Sequence, residues 1–86
     1  MRYSAQIRAA RALLGLRQDV LAKQAGIGLA TLQRIEQREG LIQGHFSTVL
    51  KIQTALEQAG VKFLDDGEAG GIGVRMMRTG LPRSRR

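Results

Sequence analysis

The stretch from Gln18 to Ile35, QDVLAKQAGIGLATLQRI, constrains this chain more than any other. Apolar residues recur there at helical spacing, and the run is broken once, at Gly26. Before the glycine, Leu21, Ala22 and Ala25 share one side of a helix. After it, Leu32 and Ile35 do the same. Ala22 puts a small side chain where two helices would cross closely. Four residues on, Gly26 permits the positive φ that a residue with a Cβ resists. Ile27, Leu32 and Ile35 then anchor the second helix and set its angle, leaving its other face free. The spacing predicts two short helices joined by a tight turn.

Such a helix-turn-helix presents its second helix to the major groove of DNA. The competing reading is a helical packing unit whose Ala and Gly are coincidental. The rest of the chain supplies a scaffold for either. A first helix is expected over Ser4–Leu14, with Ser4 as N-cap, Gly15 as stop, and Ile7, Ala10 and Leu14 facing inward. The second runs from about Gln18 to Gln24, where Asp19 complements the helix dipole. The third covers about Leu29–Gln37. A loop punctuated by Gly40 and Gly44 carries Leu41, Ile42 and His45. A fourth helix is expected over Ser47–Ala59, with Val49, Ile52, Leu56 and Ala59 at helical spacing and Gly60 ending it.

Beyond Gly60 the apolar period becomes two. Val61 and Phe63 flank Lys62, and Ile72, Val74 and Met76 alternate with Gly73 and Arg75. DDGEAGG between them is rich in turn formers. The expected element is a β-hairpin of Val61–Leu64 and Ile72–Met77. The chain thus divides into a helical domain over residues 1–60, a hairpin over 61–78 and a disordered basic tail over 79–86. An isolated hairpin is marginal in water. It must pack on its own helices or pair with a second chain.

With 86 residues there is room for one small domain, and 43% apolar residues suffice for a core. No apolar run approaches the roughly 20 residues that span a bilayer, and MRYSAQIRAARALLGLRQ lacks the unbroken apolar centre of a secretory signal. The expected location is cytoplasmic, with no membrane partner. The net charge of +7 is unevenly placed: +4 over residues 1–59, −2 over 60–74 and +5 over 75–86. A basic balance favours a polyanionic partner.

Chemistry is not expected. There is no cysteine and one histidine, His45, so thiolate metal sites are excluded. Asp65, Asp66 and Glu68 do not match a calcium loop. Gly67, Gly70, Gly71 and Gly73 do not lie between a strand and a helix as phosphate loops require. No nucleophile–base–acid set is visible, and neither metal nor cofactor is expected.

RAARALLGLRQDVLAKQAGIGLATLQRIEQ resembles the Cro/phage-repressor (XRE-type) helix-turn-helix family over about residues 5–59. LGLRQDVLA, AGIG, TLQRIE and the STVLKIQTAL helix fall in that family's order and spacing. The resemblance implies a mainly α fold, a lambda-repressor-like bundle of about four helices, here with a C-terminal β-hairpin. It implies a DNA-binding transcriptional regulator that binds double-stranded operator DNA as a homodimer. It puts phosphate contacts on Gln18 and Gln37, the first exposed recognition positions on Leu29 and Ala30, and further base or backbone contacts on Thr31, Gln33 and Arg34. It puts an internal salt bridge on Arg11 and Glu36.

The chain departs from that family in three ways. Gly28 stands where Ser or Thr commonly caps the recognition helix. Leu29 and Ala30 cannot hydrogen-bond a base edge, though they can pack on thymine methyl groups. Hydrogen-bonded readout then rests on Gln33 and Arg34, and arginine paired bidentately to guanine is the commonest specific contact. The usual fifth helix is replaced by the hairpin, so the family's dimer surface does not carry over. Arg17 and Arg38 flank the motif and are placed, with Lys51, to reach phosphates.

The expected function is repression through an inverted-repeat operator. Base contacts are expected from Leu29, Ala30, Gln33 and Arg34, and phosphate contacts from Arg17, Gln18, Thr31, Gln37 and Arg38. Dimerisation is expected through Val61, Phe63, Ile72, Val74 and Met76, with a lid over the chain's own helices as the alternative use of the hairpin. Two further alternatives stand. One is an antitoxin that contacts a toxin through the hairpin or tail. The other is an interaction module that keeps the fold without binding DNA.

Overall fold

A computed structural model describes residues 1–65, 67 and 70–77. Four helices are followed by a two-stranded antiparallel hairpin: α1 (Ser4–Leu14), α2 (Gln18–Ala25), α3 (Leu29–Gln37), α4 (Phe46–Ala59), β1 (Val61–Leu64) and β2 (Gly73–Met76). This is the mainly α, lambda-repressor-like bundle with a C-terminal hairpin that the sequence implied. None of the described helices is long and apolar enough to cross a membrane.

The α2–α3 turn follows the sequence reading. Gly26 has φ of 73°, and the Ile27 N–H donates to the Ala22 carbonyl at 3.0 Å. Ala22 is buried, so α3 can approach α2 closely there. Leu21, Leu32, Ile7, Ile52 and Leu56 have no exposed surface and form the centre of one core drawn from all four helices. Val49 and Ala59, expected on the inner face of α4, are only half-buried, and Ala55 is buried beside Ile52 and Leu56.

Three local expectations are corrected. Ser4 is not the N-cap of α1; Tyr3 is, and Ser4 opens the helix fully buried. The Ser4 hydroxyl is taken by a distant partner, donating to the Ile35 carbonyl at 2.8 Å. The N-terminal backbone is capped instead by Gln6, whose Oε1 accepts from the N–H groups of Arg2 at 2.7 Å and Tyr3 at 3.0 Å. The α4 helix starts one residue early, at Phe46, and α2 ends one residue late, at Ala25. Finally, β2 is shorter than expected: Ile72 and Met77 lie outside it.

The hairpin register pairs Val61 with Met76, Lys62 with Arg75, Phe63 with Val74 and Leu64 with Gly73. Alternation therefore puts Val61, Phe63, Val74 and Met76 on one face and Lys62, Leu64 and Arg75 on the other. The apolar face closes the bundle: Val61 and Phe63 are buried and belong to the same core as Ile7 and Leu56. Gln6 fixes the attachment. Its Nε2 donates to the carbonyls of Leu64 at 3.1 Å and Gly73 at 2.9 Å, one on each strand. The hairpin is thus a lid on its own chain. Val61 and Phe63, expected at a dimer interface, are committed to that lid. Ile72 is exposed, and Val74 and Met76 are half-buried. The expected basic tail lies outside the described residues.

Candidate nucleic-acid interface

The orientation of α3 is set by what it buries. Leu32, Ile35 and Glu36 face inward, with Leu32 fully buried. The opposite side of the helix then turns Leu29, Ala30, Gln33, Arg34 and Gln37 to solvent, and Thr31 is half-buried. All four base-contact candidates therefore lie on one exposed surface, together with Gln37. Gly28 caps α3 without a side-chain hydrogen bond. Glycine costs only a few tenths of a kcal/mol there relative to Ser or Asn, so the helix forms regardless.

Glu36 is a buried carboxylate, and three side-chain donors converge on it. Arg11 donates from Nε to Oε2 and from its terminal nitrogen to Oε1, both at 2.8 Å. Gln18 donates from Nε2 to Oε1 at 3.1 Å. Arg11 also donates to the Leu16 carbonyl at 3.1 Å, and Arg8 donates to the Glu36 backbone carbonyl. One charged group thus ties α1 and the start of α2 to the end of α3. The Arg11–Glu36 pair implied by the resemblance is present. Gln18, one of the phosphate-contact candidates, is half-buried and held by the same carboxylate.

The other phosphate-contact candidates differ in their freedom. Arg17 is paired in bidentate fashion with Asp19 on the surface, with 78% of its side chain exposed. An exposed pair of this kind contributes about 0–1 kcal/mol, so a phosphate can displace Asp19 at little cost. The Thr31 hydroxyl accepts a long contact of 3.4 Å from Arg34. Arg38 ends α3 and is exposed. Lys51 stands apart, lining a groove between α2 and α4 rather than the surface around α3.

Sequence reasoning overlooked a depression of about 180 Å³ between α3 and α4. Thr31 and Arg34 line it from α3, Arg38 from the end of that helix, Gln43 and His45 from the approach to α4, and Thr48 from α4 itself. Nothing in the local sequence places His45 beside Arg34, eleven positions earlier. A second concavity, of about 550 Å³, lies on the far side of α1. It is an apolar groove lined by Ala5, Ala9, Ala12 and Leu13 with Ile72 and Val74. Among the described residues no group of three or more His, Cys, Asp or Glu side chains is placed to hold a metal ion.

Residues 7–44, from the middle of α1 through the turn to the loop after α3, match the family model described as helix-turn-helix. No curated protein matches the chain. Over residues 7–44, a little under half of its length, the chain is similar to the helix-turn-helix family.

Proposed function

We propose that the chain is a sequence-specific transcriptional repressor that binds an inverted-repeat operator as a homodimer in the cytoplasm. The observation that carries this reading is the division of α3. Leu32, Ile35 and Glu36 lock one side into the core, while Gln33 and Arg34 stand outward with Leu29 and Ala30. In a major groove, Arg34 would donate to guanine, Gln33 to adenine, and Leu29 and Ala30 would pack on thymine methyls. Arg17, Gln18, Thr31, Gln37 and Arg38 flank that face and would hold the phosphates that set its register.

In vitro selection from a random DNA pool, at stated salt, tests the reading. An enriched palindrome is expected, and a pool that shows no enrichment would overturn it. On the selected site, Arg34→Ala is expected to weaken binding by about 1–3 kcal/mol, with little loss on random duplex. Equal losses on both would make Arg34 a phosphate contact only.

The homodimer reading rests on the outer side of the hairpin. With two strands in the sheet among the described residues, β2 keeps an edge that none of them pairs, and the groove beside it is apolar. A two-fold partner there would set two α3 helices about one DNA turn, roughly 34 Å, apart. Ile72 is 40% exposed and outside the core, so Ile72→Asp should leave the fold intact. The expected result by light scattering is a monomer with an unchanged circular dichroism spectrum. A dimer that persists would move the interface elsewhere. The same groove supports a second reading, in which a different protein, such as a toxin, covers it; a wild-type monomer that still binds an operator would favour that.

A further inference from the structure

The depression between α3 and α4 holds more cationic chemistry than base readout requires. Arg34 enters it from the recognition helix, Arg38 from the end of that helix, and His45 from the residue that caps α4. His45 is exposed, and its imidazole does not cap α4 or take part in a hydrogen bond or ion pair among the described residues. Arg38 is equally free there. Among the described residues no carboxylate lines the depression; its charged and titratable groups are Arg34, Arg38 and His45. The hydroxyls of Thr31 and Thr48 and the amide of Gln43 complete the lining. This is a donor-rich concavity, continuous with the exposed face of α3, and it suits an anionic oxygen cluster.

We propose that this depression seats a backbone phosphate of the bound DNA against Arg38 and His45, leaving Arg34 to the bases, and that His45 takes up a proton as it does so, making binding tighter at lower pH. The inference rests on the DNA-binding reading above and adds a regulatory property to it. An imidazole is the side chain whose charge ordinarily changes between pH 5 and 8. A phosphate beside it favours the charged form. Binding and protonation are then linked: each promotes the other by the same factor. The additional affinity is present at low pH and is lost as pH rises and the bound ring gives up its proton. Because the contact is to phosphate, it carries no sequence information and applies to any duplex.

The test uses the full chain, a labelled duplex of the selected operator and a labelled duplex of random sequence. Affinities are measured by fluorescence anisotropy at fixed ionic strength, at about pH 6 and about pH 8. Wild type is expected to bind both duplexes several-fold more tightly at the lower pH, as linkage to one proton requires. His45→Gln should bind equally at both pH values, close to wild type at the higher one. His45→Arg should bind tightly at both. Unfolding midpoints should match wild type, because the imidazole has no hydrogen-bond or ion-pair partner among the described residues. Retention of the full pH dependence by His45→Gln overturns the proposal, as does wild-type binding that ignores pH. A pH effect confined to the operator overturns the phosphate assignment. Absence of binding to either duplex at both pH values would instead sink the DNA-binding reading, and this proposal with it.

Discussion

Arg11→Ala is expected to destabilise the fold by about 3 kcal/mol, read as a fall in the urea midpoint at fixed protein concentration. The reason lies in the asymmetry of the pair. Glu36 is almost fully buried, and the Arg11 side chain is about one-fifth exposed. Removing the arginine leaves a buried carboxylate with Gln18 as its one remaining side-chain donor among the described residues. Breaking a buried pair from one side costs about 3–5 kcal/mol, because the stranded charge keeps its desolvation penalty. The partial exposure of Arg11 places this case near the lower end. The opposite substitution, Glu36→Gln, leaves no buried anion and keeps a side chain able to hydrogen-bond Arg11 and Gln18, so its cost should be smaller. A loss below about 1 kcal/mol for Arg11→Ala would show that water reaches the Glu36 carboxylate. The effect on DNA should follow from the same geometry. Glu36 holds Gln18 at the start of α2, so loosening this joint releases a proposed phosphate contact along with stability.

Ending the chain at Gly60 is expected to abolish cooperative thermal unfolding. Val61 and Phe63 are core residues, and burying such side chains is worth about 1.5–3 kcal/mol each. Gln6, with 2% of its surface exposed, also loses the Leu64 and Gly73 carbonyls that its amide satisfies. The combined loss of about 3–6 kcal/mol compares with a total stability of roughly 4–13 kcal/mol for a domain of this length. Far-UV circular dichroism should show residual helix with a broad, low-temperature melt. A truncated chain that melts as sharply as the whole, at the same temperature, would remove the hairpin from the core. Truncation cannot report on dimerisation, because it dismantles the protomer; Ile72→Asp separates the two.

Much of the architecture is legible in local pattern. Leu21, Ala22 and Ala25 before Gly26, and Leu32 and Ile35 after it, specify two helices and the turn between them. Helical periodicity and steric freedom at one glycine are local properties. The same holds for the period-two runs around Lys62 and Arg75, which locate both strands of the hairpin. The outward face of α3 follows too, since burying Leu32 and Ile35 leaves Gln33 and Arg34 on the other side. The Arg11–Glu36 pair was available only through the family resemblance, because 25 positions separate the partners and nothing local joins them.

What local pattern could not supply is the choice among partners that a polar or apolar side chain might take. Ser4 has the character of an N-cap, yet its hydroxyl goes to Ile35 across the fold, and Gln6 does the capping. Gln6 also spans to both strands of the hairpin, a role set by the packing of α1 against it. The alternation of Val61, Phe63, Val74 and Met76 announces an apolar face but not what covers it. Packing against Ile7 and Leu56 decides that the cover is the chain's own bundle. His45 joins Arg34 and Arg38 for the same reason: the loop after α3 folds back, and residues remote in sequence come to line one depression. Periodicity and turn chemistry act over a few residues and can be read along the chain. Hydrogen-bond satisfaction and burial are settled by which elements meet, and that is a property of the assembled fold.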